Sequence, residues 1–123
     1  MARILFVDDE PVTLQILGKA AQLLGHQPIL IQSSKKALAL TGDQAPDLIM
    51  MDMMMPEMDG LDVLRILRSR AETADIPVVI LSAGAGLDDR ERVKAAGAQD
   101  YLTKPVSLNL LMDTIRKYTG SCT

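Results

Sequence analysis

The sequence predicts an α/β fold, a doubly wound (βα)5 arrangement in which five parallel strands form one sheet with helices on both faces. Short apolar runs alternate five times with segments in which apolar residues recur at helical spacing. Such alternation is typical of βα units, whose right-handed crossovers cover both faces of a parallel sheet. The chain has 123 residues, 48% of them hydrophobic, which suits one domain with a substantial core.

The five predicted strands are short apolar runs. Strands that are buried on both faces of a parallel sheet are typically continuous apolar runs of this kind. The last run is the weakest because it contains polar residues. The runs are Ile4–Val7, Pro28–Ile31, Leu48–Met51, Pro77–Leu81 and Gln99–Leu102.

The first two helices are predicted from apolar spacing and from residues that start or end helices. Proline suits a first helical turn, so Pro11 opens the first helix, and Gly25 ends it. Ser33 or Ser34 caps the second helix, and Gly42 closes it. The apolar positions that predict the first helix are Val12, Ile16, Ala20 and Leu23.

The last three helices follow the same rules. Asp59 is interpreted as the N-cap of the third helix. The fourth is a polar segment around Arg90–Ala96 that Gly97 stops, and Ser107 caps the fifth. The third helix is marked by Leu61, Leu64 and Leu67, and the fifth by Leu108, Leu111, Met112 and Ile115.

Composition argues against two classes of partner. Thirteen basic and 16 acidic residues give a net charge of −3, which disfavours a nucleic-acid surface. No apolar run approaches the roughly 18 residues that a membrane span needs. Because Asp8, Asp9 and Glu10 interrupt the N-terminal apolar run, no signal peptide is expected. The single cysteine, Cys122, cannot form an internal disulfide, which fits a cytoplasmic protein.

Polar residues follow the predicted strands at the edge where ligands bind in such sheets. Two unit charges about 4 Å apart interact by roughly 4 kcal/mol at a dielectric constant near 20, so three carboxylates gathered there repel strongly. One lysine cannot neutralise them, whereas Mg²⁺, Ca²⁺ or Mn²⁺ suits an all-oxygen site. The strand-end residues are Asp8 and Asp9, Asp52, Ser82 and Lys104.

Asp52 is the candidate acceptor of a phosphoryl group. A carboxylate can act as a nucleophile and form an aspartyl-phosphate, and Mg²⁺ often shares a phosphate with the protein. Asp52 stands alone at its strand end, while Asp8 and Asp9 form a pair better suited to holding metal. Lys104 would supply further neutralisation, and Ser82 could donate a hydrogen bond to a phosphoryl oxygen.

Four short motifs are spread in order along nearly the whole chain. They are Val7-Asp8-Asp9-Glu10, Asp52-x-x-Met55-Pro56-x-Met58-Asp59-Gly60, Ser82-Ala83 and Lys104-Pro105. Through them the sequence resembles the receiver domain of bacterial two-component response regulators, of the chemotaxis-regulator type. The resemblance implies a flavodoxin-like sheet with strand order 2-1-3-4-5. It also implies a receiver domain over 1–119, with 120–123 a tail or the start of a linker.

The resemblance implies a role for each site residue. Asp52 would take a phosphoryl group from a sensor histidine kinase or a phosphotransfer protein. Asp9 and Asp52 would bind Mg²⁺ directly, Mn²⁺ being able to substitute, while Asp8 acts largely through water. The backbone carbonyl of Met54 would be another ligand. Lys104 would pair with Asp52 and then with the phosphate.

The resemblance also implies a switch and an output surface. Ser82 and Tyr101 would be the switch pair, and the Lys104–Pro105 bond would be cis. The face made by the fourth helix, the fifth strand and the fifth helix would form a homodimer or contact an effector, which the sequence does not name. This phosphorelay domain would itself bind neither nucleic acid nor membrane.

Two positions depart from the chemotaxis protein. Met54 replaces an amide side chain beside the acceptor, and Gly84 leaves open the space two residues beyond Ser82. In the family both positions tune spontaneous dephosphorylation, so the sequence leaves the lifetime of the phosphorylated state open.

Two other functions are compatible with an aspartate at the end of a strand. A hydrolase or phosphotransferase of the haloacid-dehalogenase type needs an acid two residues after its nucleophile, but that residue is Met54. A degenerate receiver would only bind partners, although every expected acidic, hydroxyl and lysine position is filled. We therefore interpret the sequence as that of a protein that catalyses only its own phosphorylation and dephosphorylation. Glu10 is read as a favourable charge at a helix N-terminus, and His26 is expected in solvent.

Overall fold

The computed structural model describes residues 2–43, 45–56, 58–83 and 87–120. In these ranges five strands and five helices alternate along the chain, as predicted. The strands are β1 (Arg3–Val7), β2 (Gln27–Ile31), β3 (Leu48–Asp52), β4 (Val78–Ser82) and β5 (Asp100–Thr103). The helices are α1 (Pro11–Leu23), α2 (Ser34–Asp43), α3 (Gly60–Ser69), α4 (Leu87–Ala95) and α5 (Leu108–Thr119).

The strands form one sheet in the order β2-β1-β3-β4-β5, and every neighbouring pair is parallel. This confirms the order that the resemblance implied. The register pairs Val7 with Met51 and pairs Asp52 with Leu81. The residue that follows β1, Asp8, therefore lies beside the last residue of β3.

Apolar side chains pack on both faces of the sheet, which confirms the doubly wound architecture. On one face, Leu5 and Val7 belong to a core completed by residues of α2, α3 and α4. On the other face, Ile4 and Phe6 belong to a core completed by residues of α1 and α5. Because successive side chains of a strand point to opposite faces, one apolar run supplies both cores.

Helix α1 forms as predicted, but most of the spacing that predicted it does not face the core. Val12, Ile16 and Leu23 are 67%, 55% and 67% exposed, and only Ala20 of the four positions is buried. The buried residues of α1 are Leu14, Leu17, Gly18, Ala20 and Ala21. Apolar residues occur on more than one side of this helix, so that spacing alone could not identify the buried side.

Helix ends agree with the predictions in most places. The Asp59 side chain caps α3 by accepting the Asp62 N–H at 2.9 Å, and the Ser107 hydroxyl accepts the Leu110 N–H at 3.1 Å. Gly42 was expected to close α2, but the helix runs on to Asp43. A glycine ends a helix mainly by adopting a left-handed conformation, which Gly25, Gly97 and Gly120 adopt and Gly42 does not. Of the helices in the described ranges, none is long and apolar enough to cross a membrane.

His26 is not solvated as expected. The ring is partly buried; its Nδ1 accepts the Ala2 N–H at 3.0 Å, and its Nε2 lies 3.4 Å from the Thr119 hydroxyl. Burial lowers the pKa of His26, and the negative charge of Asp47 opposes that shift. The imidazole thus joins the beginning of β1 to the end of α5.

Candidate functional site

Three separate segments meet at the carboxyl edge of the sheet. Lys104 Nζ lies 2.7 Å from Asp8 Oδ2 and 3.2 Å from Asp52 Oδ2. Asp8 directly follows β1, Asp52 ends β3, and Lys104 directly follows β5. Since β1 and β3 are neighbours in the sheet, their carboxylates are forced together, and the lysine reaches them from across β4.

The electrostatics of this group follow from its burial. Asp8 is 0% and Asp52 6% exposed. Burial raises the pKa of Asp52, with the charge of Asp8 acting in the same direction and Lys104 against it. Burial lowers the pKa of Lys104, but the hydrogen bond to Asp8 and the charge of Asp52 outweigh burial, so that this pKa is raised. One ammonium therefore faces two carboxylates, so that the group has an excess of negative charge when both carboxylates are ionised.

An acidic cluster extends this group towards solvent. Carboxylate oxygens of Asp8, Asp9 and Glu10 all lie within 4.8 Å of one another, with Asp9 and Glu10 exposed. The Glu10 N–H also donates to Asp8 Oδ1 at 2.9 Å, which holds the turn. Sequence reasoning treated Glu10 only as a helix charge. Its position next to Asp8 and Asp9 was the available signal, but only the fold of the turn brings its carboxylate to theirs.

The chain that follows Asp52 is folded back onto it by backbone bonds. The Met53 N–H donates to the Leu81 carbonyl at 2.8 Å, and the Gly60 N–H donates to the Met53 carbonyl at 2.7 Å. The Met54 N–H donates to Asp52 Oδ1 at 3.2 Å. The Met54 residue is 70% exposed. The Asp52 carboxylate is thus held at Oδ1 by a backbone amide and at Oδ2 by the ammonium of Lys104.

Gly60 is required by the close approach of α3 to Asp52. A Cβ at this position would lie 2.9 Å from the Asp52 carbonyl oxygen and 3.0 Å from the Met53 Cα. Both neighbours are backbone atoms, which cannot move aside as a flexible side chain can. The glycine therefore allows the N-terminus of α3 to close against the end of β3.

The remaining predicted residues lie on β4 and β5. Ser82 and Tyr101 are buried, at 3% and 4% exposure. The Ser82 carbonyl accepts the Lys104 N–H at 2.7 Å, and the Lys104–Pro105 peptide bond is cis. The Arg90 guanidinium lies 5.5 Å from the centre of the Tyr101 ring. Gly84, the expected open position beyond Ser82, lies outside the described residues.

Comparison with known proteins now gives the family. The model of the response regulator receiver domain matches residues 4–116. Protein PilH of Pseudomonas aeruginosa is 39% identical over 115 residues, which are 94% of this chain and 95% of PilH. The polar-differentiation response regulator DivK of Brucella ovis is 32% identical over 117 residues, 95% of each protein.

Solved structures agree with this match. The Vibrio cholerae chemotaxis response regulator CheY4 has a TM-score of 0.91 at 26% identity, covering 96% of this chain and 98% of CheY4. The receiver domain of the sensor histidine kinase PA1611 from P. aeruginosa has a TM-score of 0.88 at 31% identity, covering 98% of both chains. That structure contains a magnesium ion coordinated in its active-site cleft.

The fold and the strand-end acidic site define a phosphoacceptor module of signal transduction. More particularly, the chain belongs to the family of response regulator receiver domains, as its match over residues 4–116 and its likeness to PilH show. It is thus a receiver domain of a two-component system.

Proposed function

We propose that Asp52 takes a phosphoryl group from a phosphohistidine, carried by a sensor histidine kinase or a phosphotransfer protein, in a Mg²⁺-dependent reaction. The observation that carries this proposal is Lys104 Nζ, 2.7 Å from Asp8 and 3.2 Å from Asp52. An ammonium shared by two carboxylates is available to a third anion. It can turn to the transferred phosphoryl group without leaving the site.

The donor set fits Mg²⁺. Asp8, Asp9 and Glu10 offer closely spaced carboxylate oxygens. Asp9 and Glu10 are exposed to the solvent from which a hydrated ion would arrive. Mg²⁺ takes oxygen ligands and keeps several waters, and Mn²⁺ suits similar ligands. Asp9 and Asp52 would hold the ion directly, Asp8 would act through water, and the Met54 carbonyl would be a further ligand. A bound ion would supply neutralisation of charge during transfer.

Phosphoryl transfer depends mainly on positioning and on charge stabilisation. The chain positions the nucleophile through the two bonds to Asp52, from the Met54 amide and from Lys104. After transfer, Lys104 would pair with phosphoryl oxygens, and the Ser82 hydroxyl would donate to one of them. These roles describe a protein that catalyses only its own phosphorylation and dephosphorylation, and not a conventional enzyme.

The donor is proposed to dock beside Lys104, on the end of α1. A cavity of about 350 Å³ opens there between Ile16, Lys104, Pro105 and Val106. Val12 and Ile16 are large apolar residues that α1 exposes at 67% and 55%. Replacing Ile16 by lysine should slow labelling by a phosphorylated kinase and leave labelling by a small phosphodonor unchanged. Equal slowing of both reactions would contradict this docking site.

Output is proposed to run through Ser82 and Tyr101 to the face formed by α4, β5 and α5. Arg90 of α4 lies over the Tyr101 ring. A movement of the ring would therefore change this contact and the surface around it. The face would form a homodimer or contact an effector protein or domain. Gel filtration before and after phosphorylation tests the dimer. The proposed compartment is the cytoplasm, where ATP is available to the donor kinase.

The unit proposed for this function is the domain 1–119, with 120–123 as a tail or the start of a linker. Residues 121–123 of that tail lie outside the described residues.

The test is incubation with acetyl phosphate and Mg²⁺, followed by intact-mass spectrometry. A single phosphoryl adduct that is lost in Asp52→Asn supports the proposal. Rapid turnover of phosphate esters would instead indicate a hydrolase, and no adduct in a Mg²⁺-binding protein would indicate a receiver that only binds partners. Undiminished labelling of Asp52→Asn would remove Asp52 as the acceptor.

A further inference from the structure

Ser34 is a buried hydroxyl residue at the start of α2 that no part of the phosphoacceptor site uses. It is 0% exposed. Its Oγ donates to the Met58 carbonyl at 2.9 Å, across 24 residues of sequence. Met58 belongs to the segment between Asp52 and α3, here called the acceptor loop, of which the structure describes residues 53–56, 58 and 59. The hydroxyl thus links α2 to the loop that carries the Met54 carbonyl.

The two ends of the acceptor loop are held differently. The beginning is fixed by backbone bonds, because Met53 bonds to Leu81 and to Gly60, and the Met54 amide bonds to Asp52. Further along, the bond from Ser34 reaches Met58 from a different helix. The loop is therefore attached to the end of β3 at Met53 and Met54, and to the start of α2 at Met58.

Apart from these hydrogen bonds, the buried methionines of the loop make apolar contacts, which give little direction to its backbone. Met53 and Met55 are each 8% exposed and pack in the core with residues of α2 and α3. Methionine side chains are flexible and tolerate many arrangements, so that they fix a backbone poorly. A buried hydroxyl that loses its acceptor costs free energy, so the bond to Met58 is held firmly. It fixes the direction of one loop carbonyl.

We propose that Ser34 is a positioning residue, which holds the acceptor loop so that the Met54 carbonyl is presented to Mg²⁺. The inference rests on the proposed function, because it takes Met54 as a ligand. Groups that orient metal ligands typically change affinity by about 10-fold to 100-fold when they are removed. Ser34 acts on the ligand through the loop and does not touch the ion.

The test compares Ser34→Ala with Thr41→Val. Thr41 is another buried hydroxyl residue of α2, but its Oγ1 donates to Leu38 within the same helix, at 2.8 Å. Mg²⁺ affinity is measured by calorimetric titration. Amide hydrogen exchange of Met54 and Gly60 is measured without Mg²⁺, which reports on the loop independently of metal. Circular dichroism checks that both variants are folded.

Ser34→Ala should weaken Mg²⁺ binding about 10-fold and speed exchange of the loop amides, while Thr41→Val changes neither. If Ser34→Ala does not fold, Ser34→Cys retains a weaker donor of similar shape and should show a smaller effect in the same direction. Wild-type affinity and exchange in Ser34→Ala, or equal effects of the two variants, would overturn the inference. Failure of the wild-type protein to label with acetyl phosphate would count against the proposed function alone.

Discussion

Lys104 is the residue whose removal tests the electrostatics of the site most directly. At 2.7 Å and 3.2 Å from the two carboxylates, its attractions are about 6 and about 5 kcal/mol at an effective dielectric constant near 20. Burial of the three charges cancels much of this, and removing one partner of a buried pair typically costs about 3–5 kcal/mol. Lys104→Met keeps an unbranched side chain of nearly the same length and removes the charge. We expect the free energy of unfolding to fall by about 3 kcal/mol without Mg²⁺.

The assay is urea denaturation at pH 7 in EDTA, with Lys117→Met as the control. Lys117 is a surface lysine, 67% exposed and 3.9 Å from Asp100 Oδ2, and such surface pairs contribute about 0–1 kcal/mol. Added Mg²⁺ should reduce the loss in Lys104→Met, because the ion brings positive charge to the same carboxylates. Similar losses in the two variants, or a larger Lys104→Met loss with Mg²⁺ than without it, would refute the reasoning.

The pH dependence of this loss has a definite sign. The pKa of Lys104 is raised in the fold by Asp8 and Asp52, which outweigh burial. The stability it contributes is therefore fully present below the ordinary lysine pKa of about 10.4 and is lost as pH rises through the higher folded value. At acid pH the contribution falls as Asp52, whose pKa burial raises, becomes protonated. Between the acid and the alkaline pH range, the difference in free energy of unfolding between Lys104→Met and the wild type should not change with pH.

Three further substitutions, two of them paired with a comparison variant, test neighbouring parts of the site. Asp52→Asn should raise the free energy of unfolding at pH 7 without Mg²⁺. The pKa of Asp52 is raised in the fold, so that its ionised form destabilises the fold above the ordinary aspartate pKa. The gain in stability should vanish at acid pH in denaturation curves, and a loss of stability at pH 7 would contradict the prediction. Gly60→Ala should cost about 1–3 kcal/mol by the same assay because its Cβ meets backbone at 2.9 Å. Gly42→Ala, in open helix surface, should gain about 0.5–1 kcal/mol, and similar effects of the two glycine changes would remove the steric argument. Asp9→Ala should weaken Mg²⁺ binding in calorimetry more than Glu10→Gln does, and the reverse order would make Glu10 the main ligand.

The fold could be predicted because its signals are local and repeated. Each strand is a short apolar run, and caps such as Asp59 and Ser107 act within three residues of their partners. The convergence of Asp8, Asp52 and Lys104 could be predicted as well, since parallel strands bring their carboxyl ends to one edge. The strand order itself came from the resemblance, since alternation alone does not distinguish one order of parallel strands from another.

The sequence could not supply features that depend on contacts between distant segments. Val12 and Ile16 have the spacing of a buried stripe, yet only the packing of α1 against the sheet decides that they are exposed. His26 becomes partly buried because the end of α5 reaches it. Ser34 looked like one of two equivalent helix caps, and its bond to Met58 exists only because α2 and the acceptor loop pack together.

Under the proposed function, phosphorylation would change the balance of charge in the acidic site. Asp8 is fully buried beside Asp52, and their shared lysine leaves the pair short of positive charge. A phosphoryl group on Asp52, as proposed, would add negative charge, about 1.5 to 2 units on a typical phosphorylated side chain at neutral pH, and would compete with Asp8 for Lys104. Lys104 also donates its backbone N–H to the Ser82 carbonyl, so we expect a change of partner by its side chain to affect the end of β4. We therefore expect the same excess of negative charge to favour Mg²⁺ binding and to link Asp52 to the proposed switch residue.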